Sequence, residues 1–325
     1  MRTMVTGGAG FIGSALVDRL LAEGHEVDVV DDLSTGSLTN LADARAAAGR
    51  ALTIHQLDVR VPETSDLVLR RRPAVIFHLA AQVDVRTSVT DPVFDAEVNV
   101  IGSLRVLEGA RAAGTDRVVF AASVGLYGEP DVAELPVRES HPHRPLSPYG
   151  VAKEAVIDYL VAYRELHALE FCALALGNVY GPRQHPRGEA GVVAIFAQAL
   201  ATGTPVTVFG DGSQTRDYVY VDDVVDAFAR AATRGGGLVC NVGTGRETSV
   251  DELLATMGRV AGVDPEVRYG PARPGEILRS ALDPTRAAIH LGWRPWTSLE
   301  AGTAVVIEEA RRRASATARV RPAQR

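Results

Sequence analysis

The period of the apolar positions changes repeatedly along the chain, between short unbroken runs and spacings of three and four. Residues 2–6 are a short apolar run that reads as a strand. After a glycine turn, Ile12, Leu16, Leu20 and Leu21 recur at helical spacing over 11–22, and Gly24 closes that helix. The run 27–30 predicts a second strand ending at Asp31-Asp32. Further strands are predicted at 52–57, ending at Asp58, at 74–79, and at 117–122, ending at Ser123. Long helices are expected over 93–113, closed by Gly114, and over 148–167, followed by a sixth strand at 169–176.

Beyond Asn178 the pattern loosens. Residues 182–188 are a turn-rich loop, 192–201 a helix, 206–209 a short strand, and Gly210-Asp211-Gly212 a turn. A helix at 222–233 is expected to return to the first unit, and 238–242 to join its sheet as a seventh strand. Helices follow at 249–261, 284–291 and 299–313, and 314–325 has the composition of an unstructured end. The alternation predicts an α/β protein: a Rossmann-type doubly wound parallel sheet with a smaller, discontinuous α/β substrate domain. Residues 1–177 and 217–242 form the first domain in this reading, and 178–216 and 243–313 the second. Ligands in such sheets sit past the carboxyl ends of the strands, where Asp31, Asp58, Ala80, Ser123 and Asn178 fall.

Composition changes this picture little. The 325 residues are 46% hydrophobic and 23% charged, ordinary for a soluble globular chain. The net charge of −6 argues against nucleic acid as a partner. Six arginines lie at Arg311 or later, so the body is more acidic than the total, and the basic end reads as a solvated, frayed terminus. Cys172 and Cys240 lie in apolar strands as small buried hydrophobes, without metal-ligand spacing, so no metal and no disulfide framework are expected. Met1-Arg2 leads straight into a strand, so no signal peptide is expected, and no apolar run is long enough to span a bilayer. A reducing cytoplasm fits, with no membrane partner.

Gly7-x-x-Gly10-x-x-Gly13 follows a strand and opens a helix. Glycines there allow a tight turn and let backbone N–H groups approach a pyrophosphate. Asp31, eighteen residues past Gly13 at the end of the second strand, can accept hydrogen bonds from an adenosine ribose. Asp32 beside it should repel a 2′-phosphate, which favours NAD over NADP. Asp58-Val59 would face the adenine. Tyr149 and Lys153, four apart, share one helix face. A phenol titrates near 10, too high for a base at neutral pH, and a lysine ammonium and a positive nicotinamide beside it would lower that value. Lys153 can also hold the nicotinamide ribose, and Ser123 can hydrogen-bond the substrate oxygen that gains or loses a proton.

Here the sequence resembles the extended short-chain dehydrogenase/reductase superfamily and, within it, the bacterial UDP-glucose 4-epimerases. The segments that carry the resemblance are 5–13, Phe77-His78-Leu79-Ala80-Ala81-Gln82, Ser147-Pro148-Tyr149, 178–184, Asp211-Gly212 and 216–223, within a likeness that spans 1–313. It implies that Gly7, Gly10, Phe11, Ile12, Asp31, Asp58, Val59, Leu79, Ala80, Ala81, Tyr149 and Lys153 contact NAD, with Ser123 and Tyr149 catalytic. It implies that Asn178, Val192, Arg216 and Arg273 bind the UDP-sugar, with Asp223 and Glu276 supporting the nucleotide. Arginine suits a pyrophosphate because its planar fork donates parallel hydrogen bonds.

Two departures bear on the reaction. Ala122 stands where many relatives have a serine. Val124 and Gly125 stand where nucleotide-sugar 4,6-dehydratases carry an acid pair, and UDP-glucuronate decarboxylases an acid, so epimerase chemistry is favoured over both. UDP-glucose and UDP-galactose are the expected substrates. UDP-glucuronate is an alternative, because Arg86, His185 and Arg187 could place positive charge near a C6 carboxylate. A UDP-N-acetylhexosamine is a third, because Ser280 matches a hexose-pocket position where a small residue leaves room for an acetamido group. A non-catalytic dinucleotide-binding regulator would be expected to lose Tyr149 or Lys153. A simple reductase would exchange free cofactor. The helices at 93–113 and 148–167 resemble those that pair two subunits in this family, so a homodimer is expected.

Overall fold

The structure is a computed structural model that describes residues 1–185, 191–272 and 277–320, with side chains described as far as 315. Seven parallel strands form one sheet in the order Leu238–Val242, Glu170–Leu176, Arg117–Ser123, Val75–His78, Arg2–Thr6, Glu26–Asp31, Leu52–Gln56. The order reverses between Arg2–Thr6 and Val75–His78. At such a switch point two strand-to-helix connections diverge and leave a crevice.

The two faces of the sheet are separate cores, and alternation along one strand feeds both. Val5 packs with Leu16, Val17 and Phe228 on one side, while Met4 packs with Ile76, Val106 and Val156 on the other. Helix Phe11–Ala22 packs against helix Val221–Ala231, which brings the later segment back to the first unit as its sequence predicts. Helix Pro148–His167 has the predicted ends. Ser147 caps it by accepting the Gly150 amide at 3.1 Å, Pro148 occupies its first turn, and Ala168 ends it in the left-handed region.

Outside the seven-stranded sheet, strands Val206–Phe209 and Val267–Gly270 pair in parallel, and helices Val192–Thr202, Val250–Ala261 and Leu299–Val320 pack together. Two further short pairings join Asn178–Tyr180 with Tyr218–Tyr220, and Thr215–Arg216 with Thr248–Ser249.

The structure departs from the sequence reading in several places, three of which bear on the helices. The expected helix over 93–113 is two α-helices, Pro92–Ala96 and Gly102–Ala113, joined by one π-helical turn at Glu97–Ile101. The last helix continues to Val320, past the unstructured end expected from Ala314, because alanine and arginine there favour helix. Helix Glu63–Arg71 was not predicted.

Candidate active site

The glycine turn is fixed by close approach. Gly7 has φ +69°, and a Cβ on it would stand 2.8 Å from the Ala80 amide nitrogen. A Cβ on Gly13 would stand 2.1 Å from the Gly7 carbonyl oxygen. The Gly10 amide donates to the Gly7 carbonyl at 3.1 Å. The helix that follows has no side-chain cap and no acid in its first turn, so its terminal N–H groups are available to an anion. Gly8, Ala9 and Gly10 thus form a cradle without side-chain bulk, which fits a dinucleotide pyrophosphate.

Asp31 ties this turn to the second strand. Its carboxylate oxygens accept the Ala9 and Leu33 amides, each at 2.9 Å. Burial pushes its pKa up, while those two donors oppose the rise. Each oxygen keeps a further lone pair for a ribose hydroxyl. Asp32 is turned to its own loop, accepting the Ser34 amide and hydroxyl. Asp58, expected to face adenine, is held by Arg60 in a fork of 2.9 and 2.6 Å, and that guanidinium keeps its carboxyl below the usual range. Val59 is buried against Gly102, where a Cβ would be 2.7 Å from its methyl.

Leu79 and Ala80 are anchored to the first strand. Their amides donate to the Thr6 carbonyl at 3.1 Å and the Thr6 hydroxyl at 3.2 Å. The Thr6 hydroxyl also meets His78 Nδ1 at 2.7 Å, and His78 Nε2 meets the Ser103 hydroxyl at 2.8 Å. Burial holds the His78 pKa down to about 3, so this chain is neutral. Gln82 next along exchanges bonds with Asn99: its amide donates to Asn99 Oδ1 and its carbonyl accepts from Asn99 Nδ2, both at 3.0 Å.

Ser123 ends its strand, and its hydroxyl accepts the Gly125 amide at 3.1 Å. The start of helix Pro148–His167 closes onto this loop, since a Cβ on Gly150 would stand 2.8 Å from the Gly125 carbonyl oxygen. The Tyr149 hydroxyl lies near Ser123, whose side chain favours the phenolate. One turn on, Lys153 is buried at 2% exposure, with its ammonium 4.8 Å from the Phe120 ring centroid and 5.6 Å from that of Tyr149. The structure therefore brings Ser123, Tyr149 and Lys153 together. Burial pushes the phenol up to about 12, although Ser123 favours the phenolate, and it pushes Lys153 down to about 8. The phenol is thus raised, not lowered as expected from its lysine neighbour, because desolvation dominates.

The nucleotide-side residues lie on the connecting strands. The Asn178 amide donates to the Asp217 carbonyl at 2.7 Å, and Arg216 lies in the short strand paired with Thr248–Ser249. Segment 278–282 runs between this strand and the loop after Ser123: Thr215 donates to the Leu278 carbonyl at 2.9 Å, and Val137 to the Ala281 carbonyl at 2.8 Å. Ser280, on that segment, is 5% exposed, and its hydroxyl has no hydrogen-bond partner among the described residues. Arg86 is exposed in helix Val85–Thr90, His185 is exposed at the end of its loop, and Val192 opens helix Val192–Thr202. Arg187, Arg273 and Glu276 lie outside the described residues.

Asp223 has a different place from the one expected. Its carboxylate accepts the Trp296 and Thr297 amides at 3.2 and 3.1 Å and the Thr297 hydroxyl at 2.7 Å, so it anchors the segment before the last helix. Sequence reasoning also passed over Asp95 and Asn99. Their signal was two polar residues, four apart, on the face of a helix that turns inward; both are buried.

The pattern of the NAD dependent epimerase/dehydratase family matches residues 3–243. A UDP-glucose 4-epimerase of Mycolicibacterium smegmatis is 50% identical over 310 residues, 95% of this chain and 98% of its own length. The crystal structure of a Thermotoga maritima UDP-glucose 4-epimerase with UDP-glucose superposes with a TM-score of 0.92 at 42% identity, covering 97% of this chain and all of that one. A Thermus thermophilus UDP-glucose 4-epimerase in complex with NAD gives 0.89, also at 42% identity, covering 96% of this chain and 99% of that one.

Proposed function

Because the chain belongs to the NAD dependent epimerase/dehydratase family, we propose that Ser123, Tyr149 and Lys153 carry out proton transfer at C4 of a UDP-hexose. The protein is an NAD-dependent UDP-sugar 4-epimerase, an isomerase. NAD, when bound, supplies the acceptor and donor of the C4 hydride. Gly7, Gly10, Phe11 and Ile12 would hold its pyrophosphate, Asp31 its adenosine ribose, Asp58 and Val59 its adenine, and Leu79, Ala80, Ala81 and Lys153 its nicotinamide half.

Tyr149 takes the proton of the sugar 4-hydroxyl and later returns it, while Ser123 donates a hydrogen bond to the same oxygen. Burial of the phenol opposes ionisation, so the reaction needs positive charge beside it; Lys153 supplies one such charge, and oxidised nicotinamide a second. The 4-keto sugar must present its opposite face before reduction. That requires firm binding of UDP, assigned to Asn178, Arg216 and Arg273 in the unit formed by 178–216 and 243–313, and loose binding of the hexose. Val124 and Gly125 offer no acid or base, so elimination and decarboxylation have no group to carry them.

The observation that carries the reading is the convergence of Ser123, at the carboxyl end of its strand, with Tyr149 and Lys153, one turn apart on the helix that closes onto it. UDP-glucose and UDP-galactose are the substrate pair. The buried Ser280 hydroxyl, without a hydrogen-bond partner among the described residues, favours a second reading in which UDP-N-acetylhexosamines are also accepted. An NMR assay against a panel of UDP-sugars tests both. Interconversion of UDP-glucose and UDP-galactose is expected, and inertness toward every UDP-sugar would sink the assignment.

Two copies of the chain form a dimer. Helices Val85–Thr90 and Pro92–Ala96, with helix Pro148–His167, leave Val89, Val93, Val151 and Val161 exposed, which suits a face covered by the same helices of a second subunit. Cys172 and Cys240, both buried and free, suit the reducing cytoplasm, and among the described residues no helix is long and apolar enough to cross a membrane.

A further inference from the structure

Asp95 is a buried carboxylate that the proposed mechanism does not use. It lies on helix Pro92–Ala96, which packs directly against helix Pro148–His167, and is 1% exposed. One of its oxygens, Oδ1, accepts both Gln82 Nε2 and Asn99 Nδ2, each at 2.9 Å. The Asn99 side chain is fixed by the Gln82 backbone, and the Gln82 side chain by the Asp84 backbone, so the carboxylate is held in a fixed frame. The frame sits at the π-helical turn Glu97–Ile101, which also packs against the Tyr149 helix.

We propose that Asp95 is a positioning residue for proton transfer, acting through Lys153: its fixed negative charge keeps the Lys153 side chain an ammonium inside a desolvated pocket. The inference rests on the proton-transfer role given to Tyr149 and Lys153 above. Burial draws Lys153 toward neutrality, and Asp95 is the group that opposes it. The same charge raises the phenol of Tyr149, a smaller effect than burial.

Other charges on the elements around Lys153 are engaged elsewhere. Glu97 faces Arg60, Glu108 bonds Arg111 and Tyr163, and Glu154 faces His143. His78 is buried and neutral. Arg86 is exposed and Arg105 sits on helix Gly102–Ala113, both positive, so neither favours a second ammonium. Arg117 and Glu170 open their strands, at the opposite edge of the sheet from Ser123.

Asp95→Asn tests the idea cleanly, because an amide oxygen can keep both hydrogen bonds while the charge is lost. Loss of a negative charge favours deprotonation of both neighbours. Both limbs of the kcat/KM pH profile, which belong to the coupled phenol–ammonium pair, should therefore move to lower pH. Near-ultraviolet titration of the Tyr149 phenolate, taken as the difference from Tyr149→Phe, should show the same acid-ward shift without turnover. Asp95→Glu should restore the wild-type profile. Asp95→Ser removes the charge through a second side chain, should the asparagine variant not fold. Reduced turnover with both limbs unmoved would mean a purely structural Asp95 and overturn the proposal. If Tyr149→Phe remains active, the proton-transfer reading falls and this inference with it. If Tyr149→Phe is inactive while charge removal at 95 leaves the profile in place, only the Asp95 role falls.

Discussion

The Ala9 amide donates to the Asp31 carboxylate at 2.9 Å, so the residue that closes the glycine turn and the residue expected to read the ribose are one hydrogen-bonded unit. Selection of the cofactor and shape of its phosphate cradle are thereby coupled. Asp31→Ala should weaken NAD binding on the order of tenfold to a hundredfold, since a charge-assisted hydrogen bond contributes about 1.5–3 kcal/mol, and should relax discrimination against NADP. Titration calorimetry with both dinucleotides checks this. Equal affinity of the wild-type protein for the two would show that Asp31 and Asp32 do not read the 2′-position.

Tyr149→Phe removes the hydroxyl and keeps the ring that packs beside Lys153. The fold and bound NAD should be retained. Turnover should fall about 10²–10⁴-fold, the usual effect of losing a positioned acid–base group. Ser123→Ala should act in the same direction. Near-normal turnover of the phenylalanine variant would end the proposed mechanism.

Much of this site was legible because its residues are punctuated by local rules. Ser147-Pro148 announces a helix start, and Gly7 and Gly13 of the first turn cannot be replaced without backbone collision. Strand Val206–Phe209 and helix Pro148–His167 have the ends the sequence reading assigns. What escaped depends on contacts distant in sequence. Helix Glu63–Arg71 buries only Thr64, Leu67 and Val68, too narrow a stripe to stand out between charged residues. The π-helical turn at Glu97–Ile101 adds a residue to a helix turn without altering composition, and places Asn99 against Gln82. Asp223 sits in a motif shared with relatives, but its partners, Trp296 and Thr297, are more than seventy residues away.

That last placement is testable. Asp223→Ala leaves two part-buried amides and a hydroxyl without their acceptor, and should destabilise the protein on the order of 1–3 kcal/mol. UDP affinity, measured on the folded fraction, should be unchanged. Urea unfolding gives the first quantity and calorimetry the second. A weakened UDP affinity at unchanged stability would return Asp223 to the nucleotide site.

The exposed Val93 and Val151 are expected to be covered by a second subunit. Light scattering at micromolar concentration should give a dimer mass, and Val93→Glu combined with Val151→Glu should shift it to the monomer. A monomeric wild-type protein would count against the pairing of these helices.

Ser280 is expected to decide substrate breadth. Its segment is tied on one side to Thr215, beside Arg216, and on the other to Val137, beyond the Ser123 loop, so it runs between the residues proposed for UDP and those proposed for proton transfer. Its hydroxyl is buried without a partner among the described residues, a state that costs free energy unless a bound sugar relieves it. A serine here occupies little volume, so a 2-acetamido group is expected to be accommodated where a tyrosine would exclude it. The wild-type protein should therefore turn over UDP-N-acetylglucosamine alongside UDP-glucose. Ser280→Tyr should abolish the acetylated activity by steric exclusion while sparing the unsubstituted sugar, read as the ratio of the two kcat/KM values. Wild-type protein without detectable N-acetylhexosamine turnover would show that other residues shape the pocket. The positive groups Arg86 and His185 would then direct attention to C6, with UDP-glucuronate the first compound to assay.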